Sequence, residues 1–197
     1  MMHNDSFCPK SGHCPGSTDI CLSDLLNAPM DPREAAVRTL RILDALEERH
    51  RLCSLHLNIC PKNIYLTGPD PNDPVILSCC GNPCVMGSPC PGSYTAPELV
   101  RGTAEPADFS TDLYSVTAVF FHCLMGRQLM LSEVLNPKAP DPQNIPTLTS
   151  TPPSVRKTAG KILRRGLHML PEMRYRSIGS LRRALTELLE MLPQTPS

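Results

Sequence analysis

The sequence has few aromatic residues and no net charge. Of its 197 residues, 4% are aromatic and none is Trp, while the 41% hydrophobic share is ordinary for a globular chain. Lysine plus arginine and aspartate plus glutamate each number 19, so the formal net charge is zero. A chain without a basic excess has no general field that would attract a phosphate backbone. We therefore expect no nucleic acid as partner.

Long apolar runs are also missing. The longest candidate, residues 118–125, is far shorter than the roughly 20 residues that a helix needs to cross a bilayer. The first ten residues, MMHNDSFCPK, lack the apolar stretch of a signal peptide. These absences predict a soluble, cytoplasmic protein without a membrane span.

The ten cysteines lack the paired C-x-x-C spacing that presents two thiolates to one zinc ion. Two groups of cysteine and histidine come close together in sequence. They are Cys79, Cys80, Cys84 and Cys90, and His3, Cys8, His13 and Cys14. Because no signal peptide is visible and several cysteines fall inside apolar runs, reduced thiols are the favoured interpretation. A cysteine-based metal or redox protein is the alternative.

Helical signals dominate the rest of the chain. Asp31 and Pro32 are typical of a helix start, Glu34 could close a capping box, and apolar residues follow at helical spacing. Residues 111–125 are apolar on nearly every side and end at Gly126, which predicts a central, buried helix. A short helix at 22–27 and two amphipathic helices near the end, 155–167 and 178–192, complete this set.

The remaining segments predict one small β-element and several connections. Residues 55–66 and 75–77 have extended patterns, joined by the proline-rich turn 68–74. Prolines make 135–153 a long connection. We predict a loosely ordered N-terminal segment at 1–20, a mainly α domain at 21–192 and a short tail at 193–197.

Five short motifs follow one another along this domain. They are HLNICPKN at 56–63, CCG at 79–81, YTAPE at 94–98, STDLYS at 110–115 and LPEMRY at 170–175. In this order they resemble the catalytic loop, D-F-G, A-P-E, central-helix start and D-P-x-x-R segments of bacterial eukaryotic-like Ser/Thr protein kinases. The resemblance covers about 22–192. It implies a kinase-like C-lobe with a small β-element at the catalytic loop and no N-lobe.

The residues that would carry phosphoryl transfer depart from this pattern. Carried over by position, the catalytic Asp is Asn58, whose amide cannot act as a base, and the neighbouring Lys is Cys60. The metal-binding Asp is Cys79, and a soft thiol is a poor ligand for a hard cation. Asn63 alone is kept, and His56 is interpreted as a packed structural histidine. We therefore expect no intact catalytic site, no metal and no cofactor.

Three other positions keep the family's residues. The resemblance implies that Glu98 and Arg174 form a buried ion pair between the activation segment and the last helices. It also implies that Asp112 anchors the backbone of the catalytic loop. All three point to an intact fold.

These features predict a non-catalytic, pseudokinase-like binding or regulatory module that is inactive as this chain alone. One alternative is half of a split kinase, which would use ATP and Mg²⁺ with an N-lobe from another chain. Another is a truncated remnant without a role. We further expect that a protein partner, or residues 1–20 folding back, covers the surface that normally faces an N-lobe.

Overall fold

Helices form most of the described structure. The computed structural model describes residues 19–78, 92–101, 106–134 and 144–193. Its helices are α1 (Leu22–Leu25), α2 (Pro32–Arg51), α3 (Pro97–Arg101), α4 (Phe109–Met125), α5 (Leu131–Val134), α6 (Pro153–Gly166) and α7 (Ile178–Met191). Its strands are β1 (Ile20–Cys21), β2 (Ile64–Leu66) and β3 (Val75–Leu77). The mainly α prediction is confirmed.

Helix α4 lies at the centre of the core. Its side chains are buried from Ser110 to Leu124 with the exception of His122. Asp108 begins the helix by accepting the backbone N–H of Ser110 at 2.7 Å, so α4 starts two residues before the apolar pattern indicated. Gly126 ends it in the left-handed region at φ +66°, where glycine carries no Cβ strain.

Helix α2 begins at the residues that the sequence indicated. The Asp31 carboxylate accepts the backbone N–H groups of Arg33 and Glu34 at 2.9 and 3.2 Å. Glu34 does not close a capping box, however, because its carboxylate pairs instead with Arg38 at 2.8 Å. The buried face of α2 packs against α4 and α7.

The sheet is small and antiparallel, in the order β1-β2-β3. Strand β2 pairs Ile64 with Leu77 of β3 and Leu66 with Ile20 of β1. Strand β1 is not predicted by the sequence, because its Ile20 falls at the end of the N-terminal segment expected to be loosely ordered. Of the segment 55–66, which the sequence predicted to be extended, only Ile64–Leu66 forms a strand. Pro61–Asn63, just before it, forms a 3-10 turn.

Two contacts fix the last two helices. Arg33 of α2 donates to the carbonyl oxygens of Leu189, Leu192 and Pro193 at 2.9, 2.6 and 2.8 Å, and so it satisfies the exposed end of α7. Gly166 ends α6 against Thr117 of α4.

Among the described residues, none of the helices has both the length and the apolarity that crossing a bilayer requires.

The contact at Gly166 predicts a sharp difference between two glycine-to-alanine changes. A Cβ at Gly166 would lie 2.3 Å from Thr117 Oγ1, whereas one at Gly179 of α7 would have no neighbour within 4 Å. Thr117 is buried and branched at Cβ, so it cannot rotate away easily. We expect Gly166→Ala to lower the free energy of unfolding by about 1–3 kcal/mol. Gly179→Ala should leave it unchanged or raise it by about 0.5–1 kcal/mol.

Urea denaturation of the two variants beside the wild type measures this difference. Both changes are Gly→Ala near the end of a helix, so the contrast reports chiefly the contact between α4 and α6. Equal stabilities for the two variants would mean that α4 and α6 do not approach this closely.

Candidate functional site

The candidate site is the loop at 55–66, and the Asp112 carboxylate holds its backbone. Asp112 is fully buried in the first turn of α4. Its Oδ2 accepts the backbone N–H of His56 at 2.8 Å, and its Oδ1 accepts that of Leu57 at 2.7 Å. One carboxylate thereby joins the loop to the central helix.

A second contact at the same carboxylate comes from α2. The Nε2 of His50 lies 2.9 Å from Asp112 Oδ2, and the His50 ring packs against Phe109 with centroids 4.5 Å apart. The end of α2, the start of α4 and the loop therefore meet at Asp112. Sequence reasoning missed His50, since nothing in its spacing from Asp112 indicates contact.

The loop also contains a left-handed residue. Leu57 has φ +57°, a region in which a side chain with a Cβ is strained by about 1–2 kcal/mol. The charge-assisted hydrogen bond from its N–H to Asp112 offsets this strain. The backbone of the loop is thus held in one uncommon conformation at Leu57.

The two asparagines of the loop are brought together. The Nδ2 of Asn63 donates to the backbone oxygen of Asn58 at 2.8 Å. The backbone oxygen of Asn63 accepts from Ser78, at the end of β3, at 2.9 Å. Asn58, Asn63 and the residue preceding Cys79 are therefore neighbours. Cys79 itself lies outside the described residues.

The side chain of His56, a residue of this loop, is buried. Burial lowers its pKa to about 4; the Asp112 charge opposes this shift and Arg49 adds to it. The backbone N–H of Asn58 points to His56 Nδ1 at 3.3 Å, which requires an unprotonated Nδ1. A neutral ring with these contacts serves packing and backbone order at physiological pH.

Two cysteine thiols, those of Cys60 and Cys21, lie near the site. Cys60 is buried at 3% exposure. Cys21 of β1 donates its thiol hydrogen to the carbonyl of Pro61 at 3.4 Å, a contact across 40 residues that sequence reasoning did not find. Neither cysteine is in a disulfide. The two cysteine and histidine groups singled out for zinc lie outside the described residues, and the described ranges contain no cluster of metal-ligating side chains.

The loop offers two side-chain amides and no carboxylate. Residues 55–66 contain no Asp or Glu, and both oxygens of Asp112 are occupied by the backbone. Asn58 and Asn63 offer donors and acceptors, but an amide has no basic lone pair at neutral pH. The loop can bind a polar group, and its residues include no carboxylate that could act as a general base.

Glu98 and Arg174 meet in the core beside Thr111, in the first turn of α4. The guanidinium donates to both carboxylate oxygens at 2.8 and 2.7 Å, across 76 residues. Thr111 donates to the same carboxylate at 2.9 Å. Burial alone would raise the pKa of Glu98, but the hydrogen bonds and charge of Arg174 hold it below its ordinary value. The pair ties α3 to the segment before α7.

The comparisons with known proteins give one partial likeness. No protein-family model matches the chain. Over 108 residues it is 35% identical to the serine/threonine-protein kinase PknK of Mycobacterium tuberculosis, both in strain CDC 1551 / Oshkosh and in strain H37Rv. PknK of Mycobacterium bovis shows the same identity over the same length.

Each of these alignments covers 51% of this chain and 9% of the relative. The chain therefore spans a small part of the length of the curated relatives that it matches. The likeness supports a kinase-related protein, similar over half of its length to part of a serine/threonine-protein kinase.

Proposed function

We propose that this chain is a non-catalytic, kinase-like module, built as a kinase C-lobe, that binds or regulates another protein. One observation carries the proposal: the catalytic-loop backbone is fixed at Asp112, while the position of the catalytic base is Asn58. The partial likeness to a serine/threonine-protein kinase supports the choice of family.

The missing groups are those on which phosphoryl transfer depends. In kinases an Asp accepts the substrate proton and a second Asp holds Mg²⁺, and both positions lack a carboxylate here, at Asn58 and Cys79. Cys60 is buried where the family has a lysine. The positive charge that this lysine would place near the transferred phosphate is therefore also missing. Each loss is expected to reduce the rate by orders of magnitude.

The contacts that do persist stabilise a shape. Asp112 orders the loop, and the Glu98–Arg174 pair orders the segment 94–98 against the last helices. A folded surface without a base suits recognition of a partner. We further propose that this partner, or residues 1–20, covers the face formed by α1, the loop and β3.

Titration with Mg·ATP tests the non-catalytic assignment. A ligand present at about 100 times its Kd stabilises the folded state by about 2.7 kcal/mol, which a thermal shift resolves easily. We expect no saturable shift with Mg·ATP, because Cys79 stands at the position of the metal-binding Asp and a thiol is a poor ligand for Mg²⁺. Asn63→Ala is the matched control, since it removes the one retained metal-binding position.

A saturable shift in the wild type that Asn63→Ala abolishes would overturn the proposal. It would favour the split kinase, in which the chain uses ATP and Mg²⁺ together with an N-lobe. A shift of equal size in both proteins would place nucleotide elsewhere and leave the loop without a part in binding it.

A further inference from the structure

Helices α6 and α7 border an open groove of about 800 Å³ that lies outside the candidate site. None of its lining residues belongs to the loop 55–66. Its charged walls come from Lys161, Arg164 and Arg165 of α6 and from Arg183 of α7. Met173 and Tyr175, from the segment between the helices, supply apolar surface.

The groove carries a local excess of positive charge, although the net charge of the whole chain is zero. Four permanently charged cations line it, against two carboxylates, Glu172 and Glu187. The whole chain has a formal net charge of zero. A local excess of cations in a concave site raises the potential there and attracts acidic ligands.

Three of these four cationic side chains have no ionic or hydrogen-bonding partner in the described part of the chain. Elsewhere in the described structure, several arginine side chains pair with acids, as Arg38 does with Glu34 and Arg127 with Glu133. The side chains of Lys161, Arg164 and Arg183, by contrast, form no ion pair or hydrogen bond within the described ranges. Their donors are free to bind a carboxylate, and an arginine can do so through two parallel hydrogen bonds.

The apolar part of the groove adds a second requirement for the ligand. Met173 is 55% exposed, and the guanidinium of Arg165 lies 4.6 Å from the centroid of the buried Tyr175 ring. A flexible methionine beside aromatic and cationic groups suits an apolar side chain flanked by acids. Glu172 and Glu187 would repel a continuous phosphate backbone, whereas a peptide can place its acids between them.

We propose that the α6–α7 groove binds an acidic segment of a partner protein, one in which Asp or Glu residues alternate with apolar ones. Lys161, Arg164 and Arg183 receive the carboxylates, and Met173 packs against the apolar side chain. This assignment rests on the proposed binding function in so far as it names a partner.

Fluorescence anisotropy on the full chain tests the groove, with a short labelled peptide in which Glu and Asp alternate with Leu. The control peptide has Gln and Asn at the acidic positions. We expect the acidic peptide to bind at least about tenfold more tightly than the control peptide, and to weaken as salt rises.

Two variants of α6 locate the binding. The double change Lys161→Glu with Arg164→Glu should weaken the acidic peptide about tenfold or more, because it turns two attractive charges repulsive. Lys157→Glu alters an exposed lysine of the same helix that does not line the groove, and should change affinity less than about twofold. Circular dichroism and thermal melts check that both variants are folded.

Equal affinity for the two peptides, or equal loss in the two sets of variants, would overturn the proposal. Tighter binding of a single-stranded oligonucleotide, lost in the double variant, would assign the groove to nucleic acid instead. The nucleotide titration uses a different site and ligand, so failure of the groove assignment leaves the outcome of that titration unaffected.

Discussion

Replacing Arg174 with Ala is expected to lower the free energy of unfolding by about 3–5 kcal/mol, because it leaves a buried carboxylate without its counter-charge. Arg174 is 1% exposed and donates to both oxygens of Glu98. It also donates to the carbonyl of His168 at 2.6 Å. After its removal, Thr111 is the one remaining side-chain donor to Glu98 among the hydrogen bonds described.

Urea denaturation measures the effect, and Arg176→Ala is the matched control. Arg176 is exposed and belongs to the same segment, so its loss should change stability by less than about 0.5 kcal/mol. The double variant Glu98→Gln with Arg174→Met removes both charges and should recover part of the loss. Equal stability of the two single variants would contradict a structural role for the pair.

The pH dependence sharpens this test. The folded-state pKa of Glu98 lies below its ordinary value of 4.5, so the pair stabilises the wild type above pH 4.5 and that stability is lost as pH falls. Without Arg174, burial raises the pKa of Glu98 and favours its neutral form. The difference in stability between the variant and the wild type should therefore shrink on acidification.

Replacing Asp112 with Asn is expected to lower the free energy of unfolding by about 2–4 kcal/mol. The change keeps the shape of the side chain but turns one acceptor into a donor. One of the backbone N–H groups of His56 and Leu57 then faces an NH₂ group, and the contact with His50 loses its charge. Leu57 also loses the charged acceptor that offsets its left-handed backbone.

Asp108→Asn is the control for this change, because Asn caps a helix about as well as Asp and should be nearly neutral. Hydrogen exchange provides a local measurement in addition to global stability. The backbone amides of His56 and Leu57 should exchange faster in Asp112→Asn than in the wild type. In Asp108→Asn their exchange rates should be unchanged. Retained protection at both amides would show that Asp112 does not hold the loop.

Helix boundaries were readable from the sequence where the deciding contacts are local. Asp31 caps α2 through the N–H groups two and three residues ahead, and Gly126 ends α4 through its own backbone. Such signals lie within one turn of chain and so appear in the sequence itself. The all-round apolar pattern of α4 likewise indicated its central position.

The strand β1 could not be read in this way. Ile20–Cys21 is too short to show alternation, and its pairing depends on Leu66 and Tyr65 being presented at the right distance. The contacts of Cys21 with Pro61 and of His50 with Asp112 have the same origin. They follow from packing of segments that are distant in the chain.

Reading the chain is enough to know which chemical groups the loop 55–66 contains, and that none of them is a carboxylate. The surroundings of these groups follow from the folded structure. It turned His56 into a buried neutral ring, held Leu57 in an uncommon conformation and left Lys161, Arg164 and Arg183 together on one groove. Composition is a property of the chain alone, whereas burial, desolvation and charge proximity arise when remote segments pack.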